Sequence, residues 1–158
     1  MADFKIVEGS ENKTFFLSIN SAGINMQRGI RQGFFAVGKK LVLTAREQMM
    51  EKPKTGKIYR IRRGKTMRNH ISSAPGESPA NLSGALRKSI GWGGLNDNGF
   101  EFGAGGGQVG YAGYLEDGTP NGQMKPRPLL KNSVTKNEAT SQKLFDDAIA
   151  ASLARVKG

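Results

Sequence analysis

Residues 30–49 read IRQGFFAVGKKLVLTAREQM. Ile30, Phe34, Val37, Leu41 and Ala45 recur at intervals of three and four, and Met49 continues the line. Val42 and Phe35 widen the stripe. That period belongs to an amphipathic helix, which must bury its apolar side against another layer. Traced backward, the pattern reaches Ser21, where Ser21 or Asn20 can supply a capping oxygen. Traced forward, it stops at Lys52-Pro53, because proline restricts the residue before it. The segment 21–51 spans roughly 45 Å at about 1.5 Å per residue. Gly29, Gly33 and Gly38 sit inside it, and each costs on the order of 1 kcal/mol relative to alanine. Gly29 and Gly33 are four apart, so together they clear one strip for a close neighbour. The alternative is a helix that starts late, near Arg31.

Upstream, DFKIVE (3–8) and TFFLSI (14–19) read as two short strands with the turn GSEN between them. Phe15, Leu17 and Ile19 share one face by period two, as do Phe4 and Ile6. Downstream, KIYRIRR alternates without a clean apolar face. Ile58, Arg60 and Arg62 point one way, and Tyr59, Ile61 and Arg63 the other. This suits an exposed hairpin turning near Arg63-Gly64-Lys65. SSAPGESPAN (72–81) forms no regular element, since Pro75 and Pro79 stiffen it. Ser83 can then cap a short helix that carries Leu86 inward.

The next block is glycine-dense, with 12 glycines among the 32 residues from 91 to 122. SIGWGGL and FEFGAG read as strands around the turn Asn96-Asp97-Asn98-Gly99. In VGYAGYLEDGT, Val109, Ala112 and Leu115 fall near one side of a helical turn, with Gly118 as its stop. Residues 129–156 read as a second long helix. Its apolar candidates are Leu130, Val134, Leu144, Ala148, Ala151 and Leu153, around a polar, alanine-rich middle. The expectation is an α+β fold: a small antiparallel sheet packed with a long helix in the N-terminal half and a C-terminal helix, plus an extended basic hairpin loop. One domain covers 1–158, with 1–20 as a peripheral strand pair and 52–81 as a basic arm.

Composition narrows the function classes. The chain has 158 residues, enough for one ordinary domain, and 37% are hydrophobic, a modest share. There is no cysteine, so a disulfide, a thiolate nucleophile and a Cys-based zinc site are excluded. This fits a reducing compartment. No apolar run approaches the roughly 20 residues of a membrane helix, and MADFKIVEGS lacks a basic-then-apolar signal pattern. The formal charge is +11, unevenly placed. Residues 51–90 carry ten bases and two acids, and no acid lies between Glu51 and Glu77. Residues 91–125 sum to −3. Such a field favours an anionic partner, either nucleic acid or an acidic protein face. The plainer reading of the basic run is a solvated loop.

Catalytic patterns are thin. His70 is the single histidine, with no second histidine or cysteine to share a metal or complete a triad. Glu116 and Asp117 are neighbours, and adjacency on a helix does not set two carboxylates across a substrate. GAGGGQVG lacks the Lys-Ser/Thr of a phosphate loop and the βαβ setting of a dinucleotide fold. Its glycines suit a tight turn or close backbone approach. No cofactor and no metal site is expected, and the chain is not expected to be an enzyme. For nucleic acid, the arm offers Lys57, Arg60, Arg62, Arg63, Lys65 and Arg68 to phosphates, with Tyr59 as a stacker. No helix-turn-helix or zinc finger accompanies them.

Four segments in order carry a wider pattern: KTGKIYR, HISSAPGESPANLSGALRKSI, YAGYLEDGT and KPRPLL. Their succession resembles the tail-completion (head–tail joining, or neck) family of long-tailed bacteriophages. The match rests on Thr55, Gly56, Tyr59 and Arg60; on Ser73 to Glu77, Pro79, Gly84, Leu86, Ser89 and Ile90; on Tyr111, Ala112, Leu115, Glu116, Gly118 and Thr119; and on Arg127 and Pro128. Ser83 stands where threonine is usual and keeps a hydroxyl. Leu129 stands where phenylalanine is usual and keeps an apolar anchor. The pattern spans about 75 residues, and the first 20 fall outside it.

The resemblance implies a small α+β subunit that forms a ring of six, with twelve also compatible with closed symmetry, and works without catalytic residues. It implies a place in the virion at the head–tail interface, after assembly in the host cytoplasm. The implied partners are other copies of itself, portal- or adaptor-side and tail-terminator neck proteins, and genomic DNA passing through the channel. No membrane is involved. The candidate contact residues are Lys57, Tyr59, Arg60, Arg62, Arg63, Lys65, Arg68, Tyr111, Glu116 and Arg127. Glu116 is expected to pair with Arg127. Tyr111 either fills the core or, with Tyr114, offers aromatic area to a partner.

Overall fold

The computed structural model describes residues 5–8, 14–18 and 24–154. In chain order the elements are β1 (Lys5–Glu8), β2 (Thr14–Ser18), α1 (Ile24–Gln48), β3 (Ile58–Arg63), β4 (Thr66–Ile71), α2 (Ala85–Ser89), β5 (Gly91–Asn96), β6 (Gly99–Gly103), α3 (Ala112–Asp117) and α4 (Leu130–Ala154). A 3-10 turn at Gly107–Val109 precedes α3. The fold is α+β, with small antiparallel sheets and two main helices, as the sequence pattern anticipates. The caps proposed at Asn20 and Ser21, the GSEN turn, Phe4 and Ile19 lie outside the described residues.

One sheet has the order β1-β2-β6-β5, and all its pairings are antiparallel. The N-terminal strand pair is therefore joined to the main sheet, with β2 meeting β6 from Thr14↔Gly103 to Phe16↔Glu101. The second sheet is the β3–β4 hairpin alone.

α1 lies between two layers. On one side the sheet presents Phe100 and Phe102, both buried. On the other side runs α4. Phe34 sits at the junction, with its ring centroid 5.7 Å from Phe100 and 5.3 Å from Phe145. Ile30, Val37, Leu41, Ala45 and Met49 are buried with it, so the helical stripe read from sequence is the core face. Phe35 stands outside that face, about half exposed, and meets Trp92 edge-on at 5.3 Å.

The helix runs through all three glycines, and the late start near Arg31 does not occur. Each glycine is a contact point. A Cβ on Gly29 would stand 2.9 Å from Ile149 Cα, and one on Gly33 would stand 2.6 Å from Phe145 Cδ2. Gly38 takes the Trp92 ring in the same way, at 2.7 Å on the sheet side. The helix-propensity loss of about 1 kcal/mol per glycine is offset by layers that approach closely enough for dispersion contact along both sides.

α4 departs from the sequence expectation. Its buried residues are Leu130, Ser133, Asn137, Ser141, Phe145 and Ser152. Ala151 and Leu153 are exposed, and Val134, Leu144 and Ala148 are half-buried. Small polar side chains make most of the seam, and a Cβ on Gly29 would stand 3.0 Å from that of Ser152. The polar atoms of Ser133 and Asn137 are matched both within α4 and across to α1. The Thr44 hydroxyl donates to Asn137 Oδ1 at 3.3 Å, and Asn137 Nδ2 donates to the Ser133 carbonyl at 2.8 Å. Ser133 Oγ lies 2.7 Å from the Leu129 carbonyl and 3.3 Å from Gln48 Oε1. Pairing of this kind is what makes buried polar groups tolerable.

Candidate assembly surface

The four segments that carry the resemblance meet in space. Gly56 N–H donates to the Ser72 carbonyl at 2.9 Å, and Ser72 N–H returns a bond to the Lys57 carbonyl at 3.0 Å. These two bonds close the base of the hairpin. A Cβ on Gly56 would stand 2.5 Å from Ser72 O, so the strands can meet there only at glycine.

Glu77 locks the same corner. Its carboxylate accepts the Thr55 hydroxyl at 2.5 Å, Thr55 N–H at 3.2 Å and Ala74 N–H at 2.9 Å. The Thr55 hydroxyl bond, then the Ala74 backbone bond, hold the Glu77 carboxyl below the usual carboxylate range. Gly76 N–H donates to the Pro126 carbonyl, and Arg127 Nε donates to the Ser73 carbonyl, both at 2.9 Å. The second and fourth segments are thereby joined.

Glu116 organises the third segment. Its side chain is buried, and it accepts N–H bonds from Leu129 (2.8 Å), Leu130 (3.1 Å) and Lys131 (2.7 Å). These are donors at the start of α4 that have no partner within their own helix. A carboxylate there also faces the positive end of the helix dipole. The expected pairing of Glu116 with Arg127 is not formed. The carboxylate is occupied by backbone N–H groups, while Arg127 turns to Ser73 and to the Lys125 carbonyl at 3.4 Å. Gly118 adopts φ +83°, and a Cβ on it would stand 2.6 Å from Met124 O. Ser83 acts close to its expected role, accepting Ala85 N–H at 3.2 Å beside an N-cap at Gly84.

Outside this knot stands the β3–β4 hairpin. Its register runs from Ile58↔Ile71 to Arg63↔Thr66, and Gly64 turns it at φ +62°. Six residues per strand give a length of about 20 Å. Every residue of both strands is exposed except Ile61 and His70, which are half-buried. Lys57, Arg60, Arg62, Arg63, Lys65 and Arg68 have no carboxylate partner among the described residues. Exposed apolar groups accompany them: Ile58 is 65% accessible, Met67 53% and Tyr59 51%. The exposed arm is thus narrower than residues 52–81. Ser73, Ser78 and Pro79 are buried, so 72–81 belongs to the body although it forms no regular element.

Between the arm's base and the body lies a groove of about 420 Å³, lined by Tyr59, His70, Leu82, Tyr111, Met124 and Arg127 among others. Tyr111 does not fill the core; like Tyr114 it is exposed. Among the described residues no group of three or more His, Asp or Glu is placed to hold a metal ion. No described helix is long and apolar enough to cross a membrane.

Sequence reasoning missed the capping role of Glu116 and the clamp at Glu77. The signal for the first was a helix start at Leu130 with no Ser, Thr, Asp or Asn at residues 126–129 to cap it. No protein-family model matches the chain, and no curated protein or solved structure matches it either.

Proposed function

We propose that this chain is a structural subunit of a phage neck. Many copies close into a ring, join the tail to the DNA-filled head and leave a channel for DNA. The observation that carries this reading is the division of labour just described. The four segments of the resemblance interlock in one hydrogen-bonded knot, and each of Gly56, Glu77, Glu116, Gly118 and Arg127 has a positioning role there. What the knot holds out is a stiff-based cationic hairpin beside an aromatic-lined groove. Such a design suits docking between subunits, where one patch meets its complement on the next copy. The chain acts by assembly in the virion, at the head–tail interface, and turns over no substrate.

The test is to grow the virus without this polypeptide. Filled heads and finished tails should accumulate apart, and purified protein added to the extract should join them. Complete, infectious particles lacking the polypeptide would overturn the proposal.

The exposure of six arm cations with no carboxylate partner among the described residues, beside Tyr59, favours a second reading, a module that binds nucleic acid without sequence preference. Steeply salt-dependent DNA binding by the isolated monomer would support that reading over assembly.

A further inference from the structure

The charge of the chain is segregated along its length. From Lys88 to Lys125 there is no intervening base, and this stretch contains Asp97, Glu101, Glu116 and Asp117. Its acidic part on the sheet is the β5–β6 hairpin. Asp97 is shared with Arg31 at 2.5 Å, whereas Glu101 is exposed and has no ion-pair partner among the described residues.

β5 is the end strand of its sheet, and Gly93, Gly94, Leu95 and Asn96 are all exposed along it. Unpaired edges of this kind accept further strands unless charge, proline, a bulge or cover blocks them. β5 carries no charged residue and no proline; its pairing with β6 is regular from Gly91 to Gly93 and irregular between Gly93 and Asn96, so Gly91 to Gly93 is the stretch open to a further strand. Gly91 and Gly93 leave open space where a Cβ would project. Gly94, at φ +62°, forms a saddle for Glu101: a Cβ there would stand 3.3 Å from Glu101 Cγ and 3.6 Å from Oε1. The Glu101 side chain therefore lies over Gly94 of the end strand.

We propose that the β3–β4 arm of one copy docks on the β5 edge of the next copy, extending the four-stranded sheet and bringing arm cations to Glu101. The contact is heterologous, so it propagates head to tail and closes when the rotation permits. The hairpin has two outer edges of its own to offer. Its charge is wholly positive, and beside the edge it meets lies Glu101, the β5–β6 carboxylate with no ion-pair partner among the described residues. This inference rests on the proposed assembly from many copies and adds where the copies touch.

The experiment uses the full chain in solution, and its lysines and carboxylates serve as they stand. Carbodiimide, which joins a carboxylate directly to an amine, is applied across a concentration series alongside sedimentation. Self-association should rise with concentration. The covalent dimer band should yield peptides that link Glu101 to Lys57 or Lys65. Glu101→Lys should weaken association by about tenfold or more, and adding Arg60→Glu and Arg62→Glu should restore it, with circular dichroism reporting the fold of each variant. A chain that stays monomeric into the millimolar range overturns the inference. So does a dimer linked elsewhere, or an arm that saturates with DNA and leaves association unchanged. If particles need the chain yet these links are absent, only the docking site fails. If the links form yet particles assemble without the chain, only the neck function fails.

Discussion

Gly33 of α1 and Phe145 of α4 meet so closely that a single methyl group on the glycine would stand 2.6 Å from the phenylalanine ring and 3.2 Å from its Cα. Alanine at residue 33 gains about 1 kcal/mol in helix propensity. Against that stands overpacking, worth about 1–3 kcal/mol where neighbours cannot retreat. Part of the obstacle is backbone, so the clash wins. Gly33→Ala should lower the denaturant midpoint without changing the slope. Gly93→Ala, with open space around residue 93, should leave the midpoint within error.

Glu116 caps a helix from another segment of the chain. Glu116→Ala leaves three N–H groups at the start of α4 without their acceptor. A buried donor left unpaired costs about 1–3 kcal/mol. The variant should lose stability on that scale and show faster amide exchange first at Leu129, Leu130 and Lys131. Unchanged exchange at these amides would contradict the capping role.

Glu77 makes the arm's base sensitive to acid. Its carboxyl is held below the ordinary range in the folded chain, chiefly by the Thr55 hydroxyl. A group with a depressed folded pKa stabilises fully above its unfolded pKa, and that contribution is lost as pH falls through the folded pKa. Thermal midpoints should therefore drop on acidification more in the wild type than in Glu77→Gln. The gap between the two should be widest at neutral pH and close in strong acid. Parallel curves would contradict the assignment.

Salt should act on the arm more than on the fold. Its cations are exposed and have no carboxylate partner among the described residues, so their attraction to an acidic partner is screened over about 8–10 Å at physiological ionic strength. Self-association should weaken as salt rises while the melting temperature of the monomer changes little. Sedimentation and calorimetry across a salt series measure the two quantities separately.

Much of this was legible in sequence because it depends on period and punctuation. The α1 stripe from Ile30 to Met49 is apolar at helical spacing, and it is the core. The β3–β4 hairpin showed itself by an alternation with no clean apolar face, and both its faces meet solvent. α4 was less readable. Ser133, Asn137, Ser141 and Ser152 are polar by composition yet buried: Gly29 admits Ser152, while Ser133 and Asn137 hydrogen-bond to Gln48 and Thr44 of α1. Phe145 was missed for the same reason: its stripe is completed by serine and asparagine, which a search for apolar residues passes over. Glu116 and Arg127 both lie in the resemblance, which brings them to mind as a pair. Their partners are backbone groups, and opposite charge alone does not reveal a backbone acceptor or donor.

The central claim is that the β3–β4 arm joins subunits and that the body folds without it. Lys57 and Ser72 are hydrogen-bonded across its base at 3.0 Å, so residues 58–71 can be replaced by a two-residue Asn-Gly turn. Electron microscopy of particles grown with this variant is the most direct test. Filled heads and separate tails are expected, together with a purified variant that is folded and monomeric. Complete particles with an intact head–tail junction would contradict the claim.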